Sequence, residues 1–130
     1  MPSDRARPGV LAAVALGGGL GTPARYAVSR VVQGGPGGFP WATFWVNVAG
    51  SFALGLVIVA LGRRSYARLF AATGFLGAFT TFSTLAVEVD LLAKDGHAGM
   101  ALLYAAASVA VGLAAVAAGM GLGRRVAVGR

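Results

Sequence analysis

The sequence predicts an all-α membrane protein, a single domain over residues 1–130 built as a bundle of four transmembrane helices. Three observations lead there. Of the 130 residues, 57% are hydrophobic and only 12% charged, whereas a soluble domain carries about a quarter charged residues. The mean hydropathy is +0.76. The few charges sit at the ends of long uncharged runs, and each run approaches the roughly 20 apolar residues needed to cross a bilayer.

Those runs give helices over about 8–32, 41–62, 69–93 and 98–123. The first is uncharged to residue 24 and continues past Arg25. Arg5 and Arg7 ahead of an apolar stretch also fit a secretory leader, but three further spans need none. The stretch "QGGPGGFP" separates the first two runs, because Gly and Pro there defeat helix continuation. "GRRSYAR" and "AKDGHAG" are the other connections. All three are short, so the bundle is compact.

The net charge of +7 and the absence of cysteine bound the chemistry. Disulfides and thiolate metal sites are excluded. Nucleic-acid binding would fit a pI near 11.4, but the arginines flank spans and read as headgroup anchors. With a cytoplasmic N-terminus, Arg5, Arg7, Arg63, Arg64, Arg68, Arg124, Arg125 and Arg130 lie inside, against Arg25, Arg30 and Lys94 outside. The positive-inside bias therefore predicts an N-in, C-in subunit. Helices in lipid rely on close backbone approach, and Gly17 with Gly21, Ser51 with Gly55, and Gly119 with Gly123 each place two small residues on one face. That pattern favours tight packing and an oligomer.

Polar side chains within spans are costly and need a partner or a role. Asn47 suits an interhelical hydrogen bond or a site. Glu88 is the only acidic candidate deep in a span, unless it sits at the interface with Asp90. Arg25 is able to snorkel. Tyr104 and Ser108, four apart, share a face. The third run is the least ordinary. Gly74 and Gly77 each weaken a helix by roughly 1 kcal/mol, and Thr80, Thr81, Phe82, Ser83 and Thr84 follow at once, hydroxylated residues that compete with the helical backbone. A break over 77–80 is expected. Non-helical backbone at membrane depth is tolerated only inside protein or along a polar cavity, so freed carbonyls suit a cation and nearby hydroxyls an anion.

"GFLGAFTTFSTLAVEV" resembles the third-helix signature of the Fluc (CrcB) family of fluoride channels, and "GGGLGTPARY" and "WVNVAGSFALG" extend the likeness to the first two spans. The resemblance implies an antiparallel dimer of four-helix subunits in the plasma membrane, with two fluoride pores along the dimer interface. It also implies a structural sodium ion at the dimer centre, held by the backbone carbonyls of Gly77 and Thr80. Asn47 and Phe82 are assigned to the pore, Arg25 to a vestibule, and Tyr104 and Ser108 to a polar track, with Thr81, Ser83 and Thr84 as nearby donors. The implied function is passive export of cytoplasmic fluoride, which confers fluoride resistance.

Two departures stand out. Leu85 replaces a second phenylalanine of the signature, and Gly112 and Val116 stand where hydroxyls often continue the track. With the arginine bias, they suggest one half of an oppositely oriented pair of homologous chains rather than a homodimer. Two other classes compete: a non-conducting partner subunit, and a small proton-coupled multidrug exporter using Glu88. Enzymatic chemistry has little support. His97 sits in a loop with no nucleophile in reach, and "GGGLG" lacks the Lys-Ser/Thr and strand context of a phosphate loop.

Overall fold

The structure, a computed structural model, describes residues 7–35, 37–61, 63 and 65–129. Arg5, Pro36, Gly62, Arg64 and Arg130, used above, lie outside the described residues. Among the described residues every regular element is helical. Helix α1 (Pro8–Val31) starts on a proline, a residue suited to the first turn because its missing N–H would be unpaired there anyway. Helix α2 (Trp41–Ala60) follows the glycine-rich loop. The third rod begins with α3 (Tyr66–Arg68), where the Ser65 side chain accepts from the Arg68 N–H. It continues as a π-helical stretch, Leu69–Leu76, and the short α4 (Gly77–Phe79). After an interruption it resumes as α5 (Phe82–Lys94), and α6 (Ala98–Val128) completes the chain.

Among the described residues three helical rods are long and apolar enough to cross a membrane: Trp41–Ala60, Tyr66–Lys94 and Ala98–Val128. Helix α1, with 24 residues, is as long as a span, but Arg25 and Arg30 interrupt its apolar surface. The rods alternate in direction. At one end the first turn of α1 meets α3, where a Cβ on Gly9 would come 3.1 Å from the Tyr66 hydroxyl, and the end of α6 meets that of α2 through Gly123 and Val59. At the other end the His97 ring lies over Gly37, whose φ of +69° is accessible to glycine without strain. Arg7, Arg63, Arg68, Arg124 and Arg125 therefore share one end, and Arg30 and Lys94 the other.

Glycine sets the spacing between rods. A Cβ on Gly17 or Gly21 would lie 2.3 Å from the Phe70 carbonyl oxygen or 2.2 Å from that of Phe75, so α1 rides directly on the π-helical backbone. Gly55 and Gly119 bring α2 and α6 together likewise, with 2.3 Å to the Val116 oxygen and 2.1 Å to that of Phe52. At the loop end Phe39, Trp41, Phe44, Trp45 and Tyr104 form an aromatic cluster with ring centroids 4.5 to 6.3 Å apart.

The element ends differ from the sequence reading. Helix α6 runs on to Val128 because Arg124 and Arg125 are good helix formers and favour a helix C-terminus. The π-helix was not foreseen. The interruption falls at Thr80 and Thr81 rather than across 77–80, and Gly77 stays helical with φ −61° and ψ −34°. The glycine penalty of about 1 kcal/mol is too small to end a helix packed on α1.

Candidate functional site

Thr80 (φ −76°, ψ 153°) and Thr81 (φ −147°, ψ 116°) are extended, and the extension has a visible cause. The Asn47 side chain of α2 pairs with both backbone groups of Thr81. Its Nδ2 donates to the Thr81 carbonyl at 3.0 Å, and the Thr81 N–H donates to Oδ1 at 2.8 Å. An amide side chain thus does what a neighbouring strand would do. The Thr81 hydroxyl caps α5 by accepting the Thr84 N–H at 3.2 Å, and donates to Thr84 Oγ1 at 3.0 Å. Ser83 Oγ lies 3.3 Å from it. Thr80 sends both its N–H and its hydroxyl to the Leu76 carbonyl, at 3.0 and 2.9 Å.

These bonds release two carbonyls. In an unbroken helix the Thr81 N–H would return to Gly77 and the Thr84 N–H to Thr80. Asn47 and the Thr81 hydroxyl take those donors instead. The Gly77 and Thr80 oxygens are hard ligands of the kind that alkali and alkaline-earth cations prefer. Gly50 lets the break pack against α2, since a Cβ there would lie 2.3 Å from the Thr80 methyl.

Beside the break lies an open groove of about 320 Å³, lined by Asn47, Ser51, Gly77, Thr80, Thr81, Phe82, Leu85 and Ser108 among others. Phe82 is 80% exposed and Ser108 only 8%. The Ser108 hydroxyl has no partner among the described residues. Serine in a helix usually bonds back to its own turn, so a buried free hydroxyl at a groove wall is unusual. Tyr104, expected beside Ser108 on the track, lies outside this groove. It is fully buried and donates to Glu88 Oε2 at 2.6 Å, while Thr43 donates to Oε1 at 2.9 Å. Glu88 is thus half-buried with both carboxyl oxygens satisfied. A second pocket of about 280 Å³ brings Arg25 together with Thr22, Thr43, Thr81 and Thr84. Thr81 stands between the two pockets, and Ser83 lines neither.

Sequence reasoning missed Thr43. Its signal was present: it sits four residues before Asn47 on the same face of α2, the spacing that brings side chains together.

The CrcB-like protein family model, described as camphor resistance (CrcB), matches residues 12–120. The chain belongs to this family. Curated CrcB relatives agree over most of its length. A protein of Streptomyces avermitilis named fluoride-specific ion channel FluC 3 is 48% identical over 125 residues, 93% of this chain and 61% of that protein. One of Hyphomonas neptunium, named fluoride-specific ion channel FluC, is 44% identical over 119 residues, 87% of this chain and 94% of the relative. One of Thermus thermophilus with that name is 49% identical over 104 residues, 77% and 83%. The chain spans 61% and 66% of the length of two Streptomyces avermitilis relatives. With three rods able to span a bilayer, this CrcB protein is a multi-pass membrane protein.

Proposed function

We propose that the chain is a subunit of a passive, fluoride-selective channel that exports cytoplasmic fluoride across the plasma membrane. What supports this most directly is the free, buried Ser108 hydroxyl beside the Phe82 ring in the groove. The names of the relatives point the same way. Fluoride is small and strongly hydrated, and an unpaired ion in a medium of low dielectric costs tens of kcal/mol, so a pore must replace its water with donors. Ser108 offers one. Asn47 has two N–H donors, of which one is bound to Thr81 and one remains. The Phe82 ring edge carries partial positive charge and binds weakly enough for the ion to leave, as conduction requires. A negative-inside potential drives the anion outward, with about 2.3 kcal/mol per charge per 100 mV.

In this reading α1 is the fourth crossing, its arginines Arg25 and Arg30 placed toward one membrane face, Arg25 in a vestibule with Thr84. Two subunits pair antiparallel across the side of the groove left open by Phe82. The Gly77 and Thr80 carbonyls would hold a sodium ion at the centre of the pair. Bound there, the ion would join the two broken helices and add positive potential near the anion path. Two oxygens per subunit leave its shell to be completed by the partner.

The arginine bias favours a homologous, oppositely oriented partner over a second copy, because a homodimer would need the same chain to insert both ways. Leu85 supports the same choice, since it lacks the ring edge of a phenylalanine. Fluoride efflux from liposomes tests both points. Efflux is expected when this chain is reconstituted with a homologous partner, with sodium inside and outside. Efflux from the chain alone would refute the heteromeric pairing. Its absence in both preparations would refute the channel.

A further inference from the structure

Helix α2 carries Thr43, Asn47 and Ser51 at intervals of four, and α6 carries Tyr104, Ser108 and then Gly112 at the same interval. Residues four apart share a helix face, so both lines run along their helices toward the arginine-bearing end. The line on α6 stops at Gly112, which has no side chain. The structure shows what faces that position. A Cβ built on Gly112 would meet one atom within 4 Å, the Ser51 hydroxyl oxygen at 3.7 Å. Ser51 also lines the groove beside Asn47 and Ser108, and no group among the described residues takes its hydroxyl.

We propose that Ser51 is an anion-binding residue of the pore, supplying from α2 the hydroxyl that α6 lacks at position 112. The line of donors crosses from Ser108 on α6 to Ser51 on α2, whose hydroxyl faces the bare Gly112 across an ordinary contact distance. A serine O–H is a donor free to rotate toward an ion, and Ser108, which lines the same groove, is buried with no partner among the described residues. The inference rests on the fluoride-channel reading of the groove.

The test is a hydroxyl transfer. Fluoride efflux from liposomes is measured for the wild type with its partner, for Ser51→Ala, for Gly112→Ser and for the double variant. Ser51→Ala is expected to lower efflux roughly tenfold, the scale set by one lost hydrogen bond to a charged group. The double variant is expected to recover most of that loss, because the hydroxyl returns to α6 at a position with room for it. Gly112→Ser alone removes no native group, and the added donor is expected to lower the half-saturating fluoride concentration. Wild-type efflux unaffected by Ser51→Ala would overturn this inference and leave the channel standing. So would a folded double variant that stays as slow as Ser51→Ala, or a Gly112→Ser channel with unchanged concentration dependence. A wild type that passes no fluoride would overturn the channel reading and this inference with it.

Discussion

Replacing Asn47 by leucine, of nearly the same size, tests whether the break in the third rod is held from outside. Thr81 is only 7% exposed, and both of its backbone groups depend on Asn47, at 3.0 and 2.8 Å. Leucine would leave a buried N–H and a buried carbonyl unpaired, each costing about 1–3 kcal/mol, so the variant should lose about 2–6 kcal/mol. Thr81→Val provides the internal comparison. It keeps both backbone groups of Thr81 paired and removes the cap to the Thr84 N–H together with the hydroxyl's bonds to Thr84 Oγ1 and Ser83 Oγ, a loss of about 1–2 kcal/mol. Thermal unfolding in detergent, followed by tryptophan fluorescence, should rank Asn47→Leu well below Thr81→Val, and liposome efflux should vanish in the former. If Asn47→Leu melts no lower than Thr81→Val and still passes fluoride, the break is intrinsic to the threonines and the clamp argument fails.

Phe82→Ile changes a ring that is 80% exposed in the subunit, so subunit stability should move by no more than about 0.5 kcal/mol, while fluoride efflux should fall sharply. Retained efflux would remove the ring from the path. Gly119→Ala drives a methyl to 2.1 Å from the Phe52 oxygen and should cost about 1–3 kcal/mol or more. Gly121→Ala, with nothing within 4 Å, should be neutral or stabilising by up to about 1 kcal/mol; melting both separates packing from helix propensity. Tyr104→Phe leaves Glu88 Oε2 without its buried donor and should lower stability by about 1–3 kcal/mol, read by the same thermal assay.

The helical fold was legible because the charges mark where apolar runs stop. The rod ends were less so, since nothing in a single sequence weighs Arg124 and Arg125 as anchors against their capacity to extend α6. The hydroxyl cluster announced an irregular backbone, but placing it required knowing what stands opposite. Asn47 pairs with Thr81 across 34 residues of sequence, a tertiary relation that no local propensity encodes. The same limit hid the Thr43–Glu88–Tyr104 set. Its members stand on three different helices, and only the spacing of Thr43 from Asn47 hinted at a shared face. The π-helical stretch left no signal in the sequence; it packs on the backbone of α1 at Gly17 and Gly21, a contact between segments some fifty residues apart.

The chain's two tryptophans, Trp41 and Trp45, both belong to the aromatic cluster at the loop end, stacked at 6.3 Å and 46% and 51% exposed. Intrinsic emission therefore samples a single depth, near one headgroup layer. A quencher confined to one leaflet of a vesicle would extinguish all of this chain's signal or none of it if every copy inserts alike, and half of it if copies face both ways. The molecule thus carries its own orientation gauge, with no added label needed.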